Sequence, residues 1–132
     1  MGKSCLFAAV FALAISGAAG AGSSDCRNAV DQNTMSRCAY EDFQAADQAL
    51  NATYSRVMAA IDDEGYKAKL RMAQRNWIQF RDNECTFETA ENEGGSIYPM
   101  VYNGCLARLT KQRTRALDAY LSCWKNAQNC GE

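Results

Sequence analysis

The chain has no histidine, which removes the commonest general base and the usual orienting partner of a serine or cysteine nucleophile. Seven cysteines remain as reactive candidates, Cys5, Cys26, Cys38, Cys85, Cys105, Cys123 and Cys130. None stands in a C-x-x-C pair, and zinc held by cysteine alone calls for tighter pairs than these. The carboxylate pairs, Asp82 with Glu84 and Asp62 with Asp63, read as solvated charges on helix surfaces rather than as an acid–base couple. These residues lead to the expectation of a protein that is not an enzyme and that uses no metal and no cofactor.

The chemistry available to the cysteines depends on compartment. Lys3 precedes the nearly unbroken apolar run Cys5 to Ile15, and small residues follow to Ala19-Gly20-Ala21, an A-x-A cleavage pattern. A membrane span is the competing reading, but the stretch is rich in Ala and Gly and no basic stop follows it. Lipid attachment at Cys26 does not fit either, because Ser23-Ser24-Asp25 precedes that cysteine. The reading is therefore a signal peptide over residues 1–21 and one mature domain over 22–132, periplasmic or secreted and free of the membrane once cleaved. Cleavage removes one lysine and no acid, taking the formal charge from −1 to −2. A chain so nearly balanced has no electrostatic case for nucleic acid and carries no polybasic membrane patch.

The mature domain reads as all-α, an antiparallel bundle of three main helices. After the signal the only proline is Pro99, with glycines clustered just before it, so long stretches are left uninterrupted. A first helix is predicted from about Thr34 to Asp62, capped by Asn33 or Thr34, with Ala39, Phe43, Ala46, Leu50, Tyr54, Val57 and Ile61 facing inward. A second runs from about Tyr66 to Ala90, and its expected buried stripe is Tyr66, Leu70, Ala73, Trp77, Phe80, Glu84 and Phe87. The third begins at Pro99, a residue suited to a first helical turn, and continues to about Trp124. Its inward face is expected to be Leu106, Leu109, Leu117, Tyr120 and Trp124, interrupted by Arg113.

Loss of Cys5 leaves an even set of six cysteines, which in a short exported chain argues for three disulfides. Fifteen pairings are possible, and helix geometry narrows them. An antiparallel hairpin sets Cys85 beside Cys105, Cys26 can fold back onto Cys38, and Cys123–Cys130 can pin the tail. With Cys85 and Cys105 level, Trp77 falls near Arg113, so an arginine over an indole face accounts for the break in the third helix's apolar row. Arg75, Arg81 and Asp82 crowd the same region; Trp77 and Phe80 are expected on the buried stripe, with Arg75 and Arg81 flanking it on long stems.

Charge along the second helix is lopsided. Lys67, Lys69, Arg71 and Arg75 lie at its start, and Asp82, Glu84, Glu88 and Glu91 lie at its end, against the helix dipole. Compensation by the positive start of the third helix, with Arg108, is one account. The other is an acidic end, including Glu91 and Glu93, that faces a basic partner. Gly94-Gly95-Ser96 reads first as a chain reversal, and second as backbone N–H groups offered to an anion.

Several ordered strings resemble one family. Asp25-Cys26-Arg27-Asn28-Ala29, Gln32-Asn33-Thr34-Met35 and Cys38-Ala39 are followed by Ala46-Asp47, Leu50-Asn51 and Tyr54. The central string runs from Ala73-Gln74-Arg75-Asn76-Trp77 through Ile78-Gln79-Phe80-Arg81-Asp82 to Asn83-Glu84-Cys85. Gly94-Gly95-Ser96-Ile97, Cys105-Leu106, Leu109-Thr110 and Arg113-Thr114 complete the pattern. Together these resemble the lysozyme inhibitor LprI N-terminal domain family of exported bacterial proteins. Within that motif, Gln74, Arg75, Trp77, Phe80, Arg81, Asp82 and Arg113 are expected to be structural.

The resemblance implies a secreted protein-binding domain that inhibits lysozyme-type glycosidases by occluding the substrate cleft. Lysozymes are often strongly basic, with a cleft whose work depends on two carboxylates. The binding residues expected on this reading are Glu91, Glu93, Gly94, Gly95, Ser96 and Tyr98, in a loop held at its base by Cys85–Cys105. The alternative is a non-inhibitory envelope module that binds another exported protein or a cell-wall fragment.

Overall fold

The computed structural model describes residues 24–125. The signal-peptide expectation and Cys130 fall outside them. The elements are α1 (Ser24–Arg27), α2 (Gln32–Ala60), α3 (Glu64–Glu88), a single 3-10 turn (Ala90–Asn92) and α4 (Tyr98–Lys125). The architecture is all-α, with three long helices and no strand among the described residues.

Local chemistry sets the helix starts. Asp31, rather than Asn33 or Thr34, caps α2: its Oδ1 accepts from the Thr34 amide at 2.9 Å. An acceptor three residues upstream of the orphan amide is what the first turn requires, and Thr34 is the residue being capped. Asp63 does the same for α3, accepting from the Tyr66 amide at 2.8 Å. Pro99 is the second residue of α4, where a missing N–H costs no helical bond.

Helices α2 and α4 form the tight pair of the bundle, and α3 stands further off. Leu50, Val57 and Ile61 meet Leu117 and Leu121 in one apolar cluster, with Leu70 and Trp77 of α3 against its edge. A second cluster holds Cys85, Cys105, Leu106 and Leu109, flanked by Phe43, Trp77 and Tyr102. Disulfides join Cys26 to Cys38 and Cys85 to Cys105, each with Cα atoms 5.6 Å apart. Cys123 is also disulfide-bonded.

The buried face of α3 differs from the stripe that apolar spacing suggests. Its buried residues are Gln74, Arg81 and Cys85. Tyr66, Phe80 and Phe87 are 56%, 53% and 77% exposed. The cause is angular. Cys85 must face Cys105, and residues four and eleven positions before it, Arg81 and Gln74, share its side of the helix. The line through Tyr66, Ala73, Phe80 and Phe87 then falls on the flank. On α4, Leu106, Leu109 and Leu117 are buried as their spacing suggests, while Tyr120 and Trp124 lie at the rim, 39% and 37% exposed. The hairpin partner opposite them is the amphipathic first turn of α3, which covers only one side of these large rings.

Candidate functional site

The residues singled out in the sequence separate into two places. Gln74, Trp77, Arg81, Asp82 and Arg113 meet inside the bundle, whereas Glu91, Glu93, Gly94, Gly95, Ser96 and Tyr98 form the connection between α3 and α4 at one end.

The internal group centres on Arg81, which is 7% exposed. Its guanidinium lies 5.2 Å from the Phe43 ring centroid and 5.4 Å from that of Trp77. Its Nη2 is 2.8 Å from Asp82 Oδ1, and its Nε donates to the same oxygen at 2.9 Å. Longer contacts of 3.4 Å reach Asp47 Oδ1 on α2 and Thr110 Oγ1 on α4. One side chain thus touches all three long helices. Beside it Arg113 sits 5.9 Å from the Trp77 ring centroid and donates from Nε to Gln74 Oε1 at 3.0 Å. Two guanidiniums thus approach the Trp77 ring, and that of Arg113 is the one the break in the α4 apolar row implies.

The expected place of Arg81 is beside the buried stripe on a long stem; the structure buries it, and Asp82, Asp47 and Thr110 supply the acceptors that a buried charge requires. Phe43, Asp47 and Thr110 were not singled out as its partners. Phe43, Asp47 and Leu50 follow a four-then-three spacing along α2, and that was the available signal. Arg75 faces solvent, and Phe80 lies outside this cluster. Gln74, Arg81 and Arg113 each have side-chain partners within the chain, and Asp82, about half exposed, closes this polar node at the bundle's edge.

The connection is a run of turns. Thr89 Oγ1 donates to Cys85 O at 2.6 Å, Asn92 N to Thr89 O at 2.9 Å, Gly95 N to Asn92 O at 2.9 Å, and Tyr98 N to Gly95 O at 3.2 Å. Gly94 has φ of 78°, the left-handed region that glycine enters without penalty. A Cβ on Gly95 would lie 3.1 Å from Asn92 O. These glycines make the reversal possible, and the Gly95 amide already donates within the turn, which weakens the anion-nest reading. Glu91, Glu93, Gly94, Gly95 and Ser96 are exposed, and Tyr98 is half-buried, stacked on Tyr102 with centroids 5.5 Å apart.

Two features brace this tip. The Cys85–Cys105 disulfide closes its base, and Arg108 pairs with Glu88 at 2.7 Å through Oε1. The latter is the α4 compensation for acids at the end of α3. Glu91 and Glu93 make no ion pair among the described residues, so two carboxylates stand free beside an exposed, internally bonded turn. The one group of possible metal ligands among the described residues, Cys26, Cys38 and Glu41, has its sulfurs joined in a disulfide.

A family model described as "Lysozyme inhibitor LprI" matches residues 24–117. The chain belongs to this family. An uncharacterised protein of Rhizobium meliloti (strain 1021) is 40% identical over 77% of this chain and 82% of its own length. The crystal structure of a DUF1311-family protein from Pseudomonas putida KT2440 superposes with a TM-score of 0.65 at 28% identity, covering 70% of this chain and 95% of the other. The matched span of this LprI-family domain includes the Arg81 node, both described disulfides and the connecting tip, and stops before Cys123. None of its described helices is long and apolar enough to cross a membrane.

Proposed function

We propose that this LprI-family domain is exported, released from the membrane after cleavage near Ala21, and inhibits a lysozyme-type glycosidase by placing the tip from Glu91 to Tyr98 in the enzyme's substrate cleft. The observation that carries the reading is the join between family and geometry: a chain matching a lysozyme-inhibitor model presents an exposed turn between disulfide-linked helices, with Glu91 and Glu93 unpaired beside it. A braced turn loses little conformational freedom on insertion. Its two carboxylates favour encounter with a basic enzyme, and salt screens that attraction.

The test is lysis of bacterial cells by lysozymes of several types with purified protein added at a series of salt concentrations. Inhibition at low salt that weakens as salt rises is expected. Reversal of both charges, E91K with E93K, should raise the half-inhibitory concentration by about tenfold, the range for rim charges that steer association. Unchanged potency in that variant would move the contact away from the tip. Absence of inhibition of every lysozyme type at micromolar protein and low salt would favour the non-inhibitory envelope module.

A further inference from the structure

The outer flank of α3 carries a second pattern that inhibition does not use. Tyr66, Ala73, Phe80 and Phe87 stand seven residues apart, and all four are exposed. Seven residues fall about 20° short of two helical turns, so such a repeat forms a slowly drifting line along one side. It runs roughly 30 Å at 1.5 Å per residue. At its N-terminal end the line borders a groove of about 270 Å³, whose apolar lining includes Leu70, Tyr120 and Trp124 as well as Tyr66 and Ala73. At its C-terminal end Phe87 projects, 77% exposed, with no ring contact among the described residues.

We infer that this flank is the contact between two copies of the chain, paired antiparallel along α3 about a two-fold axis. The charge order argues for a second copy. Two charges border the line, Lys69 three residues after Tyr66 in the first half of α3 and Glu84 three before Phe87 in the second, whereas Lys67, Arg71, Arg75, Asp82 and Glu88 stand one or two positions from its members and face elsewhere. Parallel pairing in register would set lysine against lysine and glutamate against glutamate, whereas antiparallel pairing sets each lysine level with a glutamate. With the axis between Ala73 and Phe80, Tyr66 of one copy lies level with Phe87 of the second, and Ala73 with Phe80. Lys69 then comes level with Glu84 of the second copy. Within the chain neither Lys69 nor Glu84 makes an ion pair among the described residues. The Lys69 ammonium lies only over the Tyr66 ring, 5.2 Å from its centroid.

A two-fold contact is self-complementary: what one copy offers, it also receives. Here each copy offers Phe87 at one end and a groove at the other, so each phenyl ring enters the groove of the second copy. Aromatic anchors seated in pockets carry most of the energy in such contacts. A single helix flank buries less than the roughly 800 Å² per partner of a standard stable interface, so the dimer is reversible and concentration-dependent. The tips from Glu91 to Tyr98 lie at opposite ends of the pair, both open.

Sedimentation velocity of the exported, disulfide-intact protein from about 1 µM to 500 µM spans the range expected for an interface of this size. A shift from monomer toward dimer is expected across it. Phe87→Glu, at an exposed position, should weaken association at least about tenfold while leaving the helical circular dichroism unchanged. Val30→Glu, which alters an exposed apolar residue outside α3, should leave association as it is. Either K69E or E84K alone should weaken the dimer, and the K69E/E84K double variant should recover to within about threefold of the original, since the pair is restored with its signs exchanged. A monomer throughout the range, a dimer indifferent to Phe87→Glu, or a double variant no tighter than the single ones would overturn the inference.

Discussion

Replacing Arg81 by alanine tests whether the internal node holds the bundle together. The side chain is almost fully enclosed, and its guanidinium lies between the Phe43 and Trp77 rings. Each such cation–π contact is worth about 0.5–1 kcal/mol, more where water is excluded. The pairing with Asp82 adds less than its short distance suggests, because that carboxylate is nearly half exposed and can hydrate on its own; about 0.5–1 kcal/mol is the range for such a pair. Loss of the buried stem opens a void between α2, α3 and α4, and truncations of similar size cost about 2 kcal/mol or more. The expected loss for Arg81→Ala is therefore about 3.5–5 kcal/mol.

Arg81→Met separates the contributions, since it retains most of the stem and removes the charge. The aspartates left behind are partly exposed, so the penalty for stranded buried charge is small and the loss should be about 1.5–3 kcal/mol. The assay is urea unfolding with the disulfides intact, followed by far-ultraviolet circular dichroism, together with thermal melts. About 1 kcal/mol moves the melting temperature of a domain this size by roughly 4–8 °C. An Arg81→Ala loss below about 0.5 kcal/mol, the level of ordinary surface substitutions, would refute the node as a structural element. A Met variant as damaged as the Ala variant would show that charge, not packing, dominates.

Two further expectations concern neighbouring features. Arg113→Ala removes the second cation over Trp77 and the bond to Gln74, and should cost about 1–2 kcal/mol; an unchanged melting temperature would remove this account of the break in the α4 apolar row. At the start of α2, the Thr34 amide bonded to Asp31 holds that carboxyl below its ordinary value of 3.8. A group depressed in the folded state stabilises it above the unfolded value and loses that contribution as pH falls through the folded one. The urea midpoint of the natural protein relative to Asp31→Asn should thus be flat above about pH 5 and should decline below about pH 4; a difference that does not vary with pH would show the cap to be independent of charge.

Much of the fold was legible because its determinants are local. Helix number, the α3–α4 hairpin and the nearness of Cys85 to Cys105 follow from periodicity, one turn and two cysteines at matching heights. The rotation of α3 about its axis was not. Apolar spacing favours the line through Tyr66, Phe80 and Phe87, and a reading that buries hydrophobic residues first places Arg81 at the edge. What reverses this is the joint demand of Cys85 and of polar partners on two other helices, a tertiary constraint with no trace in the α3 sequence alone. The tip was legible as a reversal from Gly94-Gly95. Its internal bonding was not, because that depends on how Thr89 and Asn92 turn back on the end of α3.

The rotation of α3 also explains why stability and recognition can reside on one helix without conflict. Its inner side is occupied by charged and amide groups whose partners lie within the chain, so sequence changes there act on folding. Its C-terminal extension carries Glu91 and Glu93, and its outer flank carries Glu84, Phe80 and Phe87, without such partners among the described residues. Had the apolar line been the buried one, Glu84 would face the core and Phe87 would be covered, leaving α3 with a single interior role. By burying an arginine instead, the bundle keeps its aromatic flank at the surface. The polar node and the apolar flank are therefore consequences of the same helix orientation, and a variant that rotated α3 would alter both together.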